Sequence, residues 1–218
     1  MKDKTDFIPA LGYDQLTALY DKVIGWTMPE IEFRTKLIEH LSPEPNEKIL
    51  EFGFGTGENL AYSMRAENKA VYTGLDIDPK VKSIAEAKLH KLGFLKNVQL
   101  DLYDGEEFPY SENSFDKIFS CLVFHQLKTT EKEDALKKIF RVLKPGGTLL
   151  VCDWGKPANA FYSMGFYLVQ ILDGFKTTTD NRKGLLPRFV KEAGFEQVVE
   201  IDFVNTKIGT LRYLIATK

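Results

Sequence analysis

Lys48-Ile49-Leu50-Glu51-Phe52-Gly53-Phe54-Gly55-Thr56-Gly57-Glu58-Asn59 decides how this chain is read. Ile49, Leu50 and Phe52 make a short apolar strand, the three glycines make a turn, and a helix begins after them. Glycine carries no side chain and accepts φ > 0, so a ligand can approach the backbone closely. The helix start presents N–H groups and a partial positive charge to an anionic or polar group. The stretch is therefore a nucleotide-type cradle. A dinucleotide fingerprint needs glycines at 53, 55 and 58. Position 58 is Glu, which would crowd and repel a pyrophosphate, and the third glycine falls at 57. Glu51, two positions before the first glycine, suits a cofactor that carries a cationic amino group.

Outward from this turn, strands and helices alternate. Ala70–Ile77 reads as a strand with Asp76 near its end, placed to accept hydrogen bonds from ribose hydroxyls. Asp78-Pro79 is a helix start, with Asp as N-cap and Pro at the first helical position. Val81, Ile84, Ala85, Leu89 and Leu92 form that helix's inner face, and Gly93 stops it. The lysines between Lys80 and Lys96 are its solvated side. Residues 97–103 and 115–124 are two more strands. Thr130 to Glu133 fits a capping box, opening a helix with Leu136, Ile139, Phe140 and Leu143 inward. Lys144 to Gly147 is a turn, and Thr148–Cys152 a buried strand. Apolar runs separated by amphipathic helices predict a parallel sheet covered on both faces.

The two ends differ from this pattern. Residues 1–47 predict a helical extension: Leu16, Leu19, Tyr20 and Val23 share helical spacing, as do Ile31, Phe33, Leu37, Ile38 and Leu41. Residues 158–175 are aromatic-rich with no single face; the insertion 158–184 in the main domain, 48–218, fits a lid over an apolar pocket, and equally core packing or a dimer contact. A short helix over 185–193 precedes strands at 198–204 and 210–217. Their hairpin-length connection makes the last strand antiparallel to its neighbour.

Composition excludes several classes. A net charge of −2 gives no electrostatic case for a nucleic acid. No run is long and apolar enough for stable membrane insertion. Cys121 and Cys152 fall in apolar strands and read as reduced core residues of a cytoplasmic protein. No metal-ligand pattern is present. A monomer or a homodimer both fit.

Glu51-Phe52-Gly53-Phe54-Gly55-Thr56-Gly57 resembles the first motif of the class I S-adenosylmethionine-dependent methyltransferases. Gly74 to Pro79, Asp104 to Pro109 with Asn113 to Asp116, Leu143 to Leu149 and Glu192 to Phe195 resemble four further segments of that family, in order. The resemblance implies a Rossmann-like, seven-stranded, mostly parallel α/β sheet with an antiparallel last strand and helices on both faces. It implies S-adenosyl-L-methionine as cofactor and S-adenosyl-L-homocysteine as product. Gly53, Gly55 and Gly57 would hold the methionine part, with Glu51 near its ammonium. Asp76 would bind the ribose, Ile77 would pack on the adenine, and Asp104 with Gly105 would meet the adenine amino group. Ser120 would lie near the reacting methyl. Tyr20 resembles a tyrosine ahead of the first motif, and Tyr13 and Arg34 would line or cover the cofactor.

Methyl transfer needs alignment first; an oxygen or carbon acceptor also needs a base. His125, just past the fourth strand, is the candidate, with Asp153 at the same sheet edge; packing of the strand end is the alternative role for His125. The layout is distantly similar to the ubiquinone/menaquinone-biosynthesis methyltransferases, which implies a small, apolar acceptor. The competing readings are a non-catalytic S-adenosylmethionine-binding protein of this fold and a nicotinamide-dependent reductase. Glu58 and the antiparallel ending disfavour the second.

Overall fold

The computed structural model describes residues 28–218. Successive residues of a strand point to opposite faces of a sheet. Ile49 and Leu50 of β1 (Lys48–Phe52) do so, and both are fully buried. The sheet is therefore packed on both sides. β1 pairs in parallel with β2 (Val71–Asp76) and β4 (Phe115–Cys121), β2 pairs with β3 (Val98–Leu102), and β4 with β5 (Leu143–Trp154). β6 (Glu196–Thr206) and β7 (Gly209–Thr217) form the terminal hairpin. The sheet order is β3-β2-β1-β4-β5-β7-β6, with β7 antiparallel to both of its neighbours.

One face carries α1 (Glu30–Leu41), α2 (Glu58–Ala66), α3 (Pro79–Lys91) and α5 (Ala160–Asp173), through Phe33, Leu60, Ala85 and Phe166. The other carries α4 (Thr129–Val142) and α7 (Leu186–Glu192), through Leu136, Ile139 and Phe189. Tyr213 on β7 donates to the Phe33 carbonyl at 2.7 Å, which fastens α1 to the sheet. Asp78 caps α3 by accepting from the Lys80 N–H at 2.8 Å, as the sequence predicts.

Several expectations need correction. Strand β5 begins at Leu143, because the Pro145-Gly146-Gly147 turn is held inside the sheet edge: Gly146 donates to the Lys218 carbonyl and Lys218 to that of Gly147. Helix α4 starts at Thr129, and its capping carboxylate is Glu131, which accepts from the Lys128 N–H at 2.8 Å. The hairpin strands extend further than expected, leaving Lys207-Ile208 as the connection. The aromatic segment does have a face. In α5, Phe166 and Val169 are buried while Phe161, Met164 and Ile171 are exposed. A further helix, α6 (Phe175–Lys183), follows after Gly174. The helix expected at residues 16–23, with Tyr13 and Tyr20, lies outside the described residues.

Candidate active site

The carboxyl ends of β1, β2 and β4 open on a cavity of about 400 Å³, within the range of small-molecule sites. Gly53 is forced by close approach: a Cβ there would lie 2.3 Å from Cγ2 of Val123. Gly55, at φ +51°, has no protein atom within 4 Å of its missing Cβ. That space is open to the cavity. Gly57 packs on α3, where a Cβ would meet that of Ala85 at 3.0 Å, and it does not line the cavity.

Asp76 holds the turn in shape. Its carboxylate accepts from Gly55 N–H at 2.8 Å, Ile77 N–H at 2.7 Å and Asp78 N–H at 3.1 Å. Burial raises its pKa, and these donors oppose the shift. Three bonds leave about one acceptor position for a ligand hydroxyl. Asp104 and Gly105 line the same end of the cavity with Ile77 and Tyr103. Tyr103 packs edge-on to Phe108, which in turn stacks near Phe52.

Glu51 lies behind the wall, with no exposed surface. Its Oε1 accepts from Asn59 Nδ2 at 2.7 Å, while Oε2 has no partner. Burial pushes its pKa up to about 8; the Asn59 bond and the positive charge of Arg34 act against that. Arg34 reaches from α1 to donate to Asn59 Oδ1 and pairs with Glu30 at 3.5 Å. Its Nε is buried and unpartnered. Arg34 and Asn59 both line the cavity. Asn59 was not singled out from the sequence, although an amide in the first turn directly after the glycine cradle was a usable signal.

Besides Gly57 and Glu51, two further expected residues do not reach the cavity. Ser120 is fully buried and donates to the Phe52 carbonyl at 2.8 Å, away from the cavity. It staples β4 to β1. His125 is also buried outside the lining. Its Nδ1 lies 2.8 Å from Asp153 Oδ1 and its Nε2 lies 3.6 Å from Asp173 Oδ2. Burial acts to lower its pKa, but Asp153 and then Asp173 outweigh this and hold it above its ordinary value. With both ring nitrogens facing carboxylates, His125 has no nitrogen turned to an acceptor in the cavity. Asp153 also accepts from the Val123 and Trp154 N–H groups. The pair therefore joins the end of β5 to the loop after β4 and, through Asp173, to α5.

Helix α6 packs against the turn at Phe124–Gln126 and adds Thr177 to the lining. Lys132, fully buried on α4, donates to the Thr177 carbonyl at 2.5 Å and pairs with Asp180 at 3.2 Å. Thr177 lines the cavity. Leu122 lines it too and has φ +59°, a conformation that is rare and strained for leucine. No sequence signal marks it, since leucine is no turn former.

Comparisons agree with this geometry. A model described as a methyltransferase domain matches residues 50–151. The chain is 34% identical over 183 residues to a ubiquinone/menaquinone biosynthesis C-methyltransferase of Idiomarina loihiensis, covering 75% of this chain and 71% of that protein. Alignments to the first relatives span from 48% to 74% of their own length. Among solved structures, a methyltransferase from Aquifex aeolicus superposes with a TM-score of 0.62 at 20% identity, covering 93% of this chain and 96% of that one. A phosphoethanolamine N-methyltransferase from Haemonchus contortus gives 0.72 at 18% identity, covering 98% of this chain and 60% of the other. These structures share the fold. The sheet order, the glycine cradle, the ordered motifs and the curated relatives together identify the chain as a member of the class I S-adenosylmethionine-dependent methyltransferases.

Proposed function

We propose that this methyltransferase acts on a small, apolar acceptor, and that its cradle reads the cofactor's amino-acid end with Arg34 and Asn59 at the wall, Glu51 acting from behind it through Asn59. The observation that carries the second part is a pair of buried, unpartnered polar atoms, Glu51 Oε2 and Arg34 Nε, on either side of Asn59. A carboxylate and a guanidinium suit an ammonium and a carboxylate respectively. Asp76 takes the ribose hydroxyls, and Ile77, Asp104 and Gly105 border the adenine. Gly53 and Gly55 let the ligand lie against the backbone. Gly57 and Ser120 act behind the wall, by packing and by joining strands.

S-adenosylmethionine supplies a methyl group already activated on a sulfonium, with a neutral leaving group. The chain's task is to align the acceptor and keep water out. Leu122, Val123 and Leu127 give the cavity an apolar wall, and Thr177 of α6 adds to its lining. Such positioning supplies on the order of several kcal/mol of barrier reduction. His125 is a positioning residue. It links Asp153 to Asp173 and so seats the lid, residues 158–184, at the sheet edge.

The relatives' activity, carbon methylation in ubiquinone and menaquinone biosynthesis, supports an aromatic quinol-type acceptor. The net charge of −2 supports no nucleic-acid partner. The buried free thiols Cys121 and Cys152 support a cytoplasmic setting. Turnover to S-adenosylhomocysteine should be measured with a panel of alkylated hydroquinones, catecholamines and small polar amines. Turnover with the hydroquinones is the expected result. Turnover confined to polar amines would contradict the proposed acceptor class.

A further inference from the structure

Helix α5 carries an unusual surface among the described residues. Residues 160–172 contain no charged side chain, in a chain that is 28% charged. Only Phe166, Val169 and Gln170 face the core. Phe161, Met164, Leu168 and Ile171 recur at three- and four-residue spacing, so they share one stripe. Their exposures are 65%, 68%, 40% and 68%, and Leu172, four residues after Leu168, extends the stripe at 47%. Scattered exposed apolar residues need no explanation, but a continuous stripe of this kind marks an interaction surface.

The charges beside the stripe select the occupant. Within residues 155–184 the cations are Lys156, Lys176, Arg182 and Lys183, and the acids are Asp173 and Asp180. Both acids are turned inward: Asp173 faces His125, and Asp180 pairs with Lys132 and accepts from Thr129. The exposed charge of the segment is therefore cationic. Arg182 lies along the stripe's flank, with its guanidinium 4.0 Å from the Tyr167 ring centroid and a hydrogen bond to Ser163. An apolar helix face bordered by cations with aliphatic stems is the arrangement that lies flat in a lipid headgroup region. A protein partner of the same shape would need acidic residues placed to match; an anionic bilayer offers them everywhere.

We propose that the exposed face of α5, with its cationic border, docks this protein reversibly on an anionic lipid surface. The contact is peripheral, since no helix among the described residues is long and apolar enough to cross a membrane. It places α6, whose Thr177 lines the cavity, next to the bilayer. The proposal stands apart from the acceptor assignment, because docking is read without turnover.

The test is flotation of the full chain with vesicles of phosphatidylcholine alone or with about one third phosphatidylglycerol. Binding to the anionic vesicles is expected, with partitioning several-fold lower in zwitterionic vesicles or at high salt. The double variant Met164→Gln/Ile171→Gln changes two side chains that point to solvent. It should lower partitioning about tenfold or more while keeping the wild-type affinity for S-adenosylhomocysteine. That affinity reports an intact fold. No binding to either vesicle would overturn the proposal, as would equal binding to both or undiminished binding by the double variant. A dimer seen in light scattering and dissolved by the same substitutions would also overturn it, and would assign the face to a second copy of the chain.

Discussion

Glu51 shows how burial of one carboxyl ties the proposed cofactor contact to a cost in stability. Its pKa of about 8 lies above the ordinary carboxylate value of 4.5 because burial disfavours the ion. In the ligand-free fold it is therefore largely protonated at neutral pH, whereas an ammonium bound at the wall in front of Asn59 would favour the ion. Cofactor binding near pH 7 should release a proton. Calorimetry in buffers of different ionisation enthalpy measures it, and zero release would contradict the assignment. The sign for stability follows from the raised value. The contribution of Glu51 is fully present below about 4.5 and is lost as pH rises through about 8. Glu51→Gln removes that loss, so the variant should gain on the order of 2 kcal/mol at pH 7. Its melting temperature should rise by about 4–8 °C while its affinity for S-adenosylmethionine falls. His125 has the same sign for a different reason, since its carboxylate neighbours raise it. Its contribution is complete below its ordinary value near 6.5 and is lost as pH rises through the higher folded value. His125→Gln keeps a hydrogen-bond donor without the charge. It should lower stability by about 3 kcal/mol at pH 6, less at pH 9, and alter KM more than kcat. A large loss of kcat with unchanged stability would make His125 the base.

At the scale of elements, the glycine turn was the easiest part to read, because its backbone needs are written in residue identity. Gly55→Ala adds a methyl at φ +51° into space that holds no protein atom. Folding should weaken by about 1–2 kcal/mol. Cofactor affinity should weaken at least about tenfold, or 1.4 kcal/mol, read by the same titration. Unchanged affinity would move the ligand away from the turn. The lid was the hardest part to read. Every residue from Phe166 to Leu168 is apolar or aromatic, so the pattern could not say which side was inside; contacts with Trp154 and the β6–β7 turn decide it. Helix α6, Phe-Lys-Thr-Thr-Thr-Asp-Asn-Arg-Lys, has poor helix propensity. It forms because tertiary bonds hold it: Lys132 to the Thr177 carbonyl and Gln170 to Thr178. Neither bond is visible in local sequence. Of the two roles the sequence leaves to His125, base or packing at the strand end, the contacts favour packing. Its position after β4 was right, but Asp173, 48 residues away, takes up its second nitrogen.

Across the whole molecule, the site is a seam between an ordinary sheet edge and an added cover. The sheet contributes the cradle, Asp76 and the apolar wall. Helix α1 contributes Arg34, and α6 contributes Thr177. The five sequence motifs mark the first group, since cofactor chemistry fixes those residues. The cover is set by packing and by the acceptor, which is why it was legible only as an extension and an insertion. The central claim is that the cavity above Gly53 and Gly55 takes S-adenosylmethionine through Asp76. Its most direct test is calorimetric titration of the full chain and of Asp76→Ala with S-adenosylmethionine, S-adenosylhomocysteine and NADH. The account predicts saturable binding of the first two by the wild type, weakened about 30-fold or more in the variant as charge-assisted hydrogen bonds are lost, and no binding of NADH. Binding of NADH instead, or equal affinity in wild type and Asp76→Ala, would contradict it.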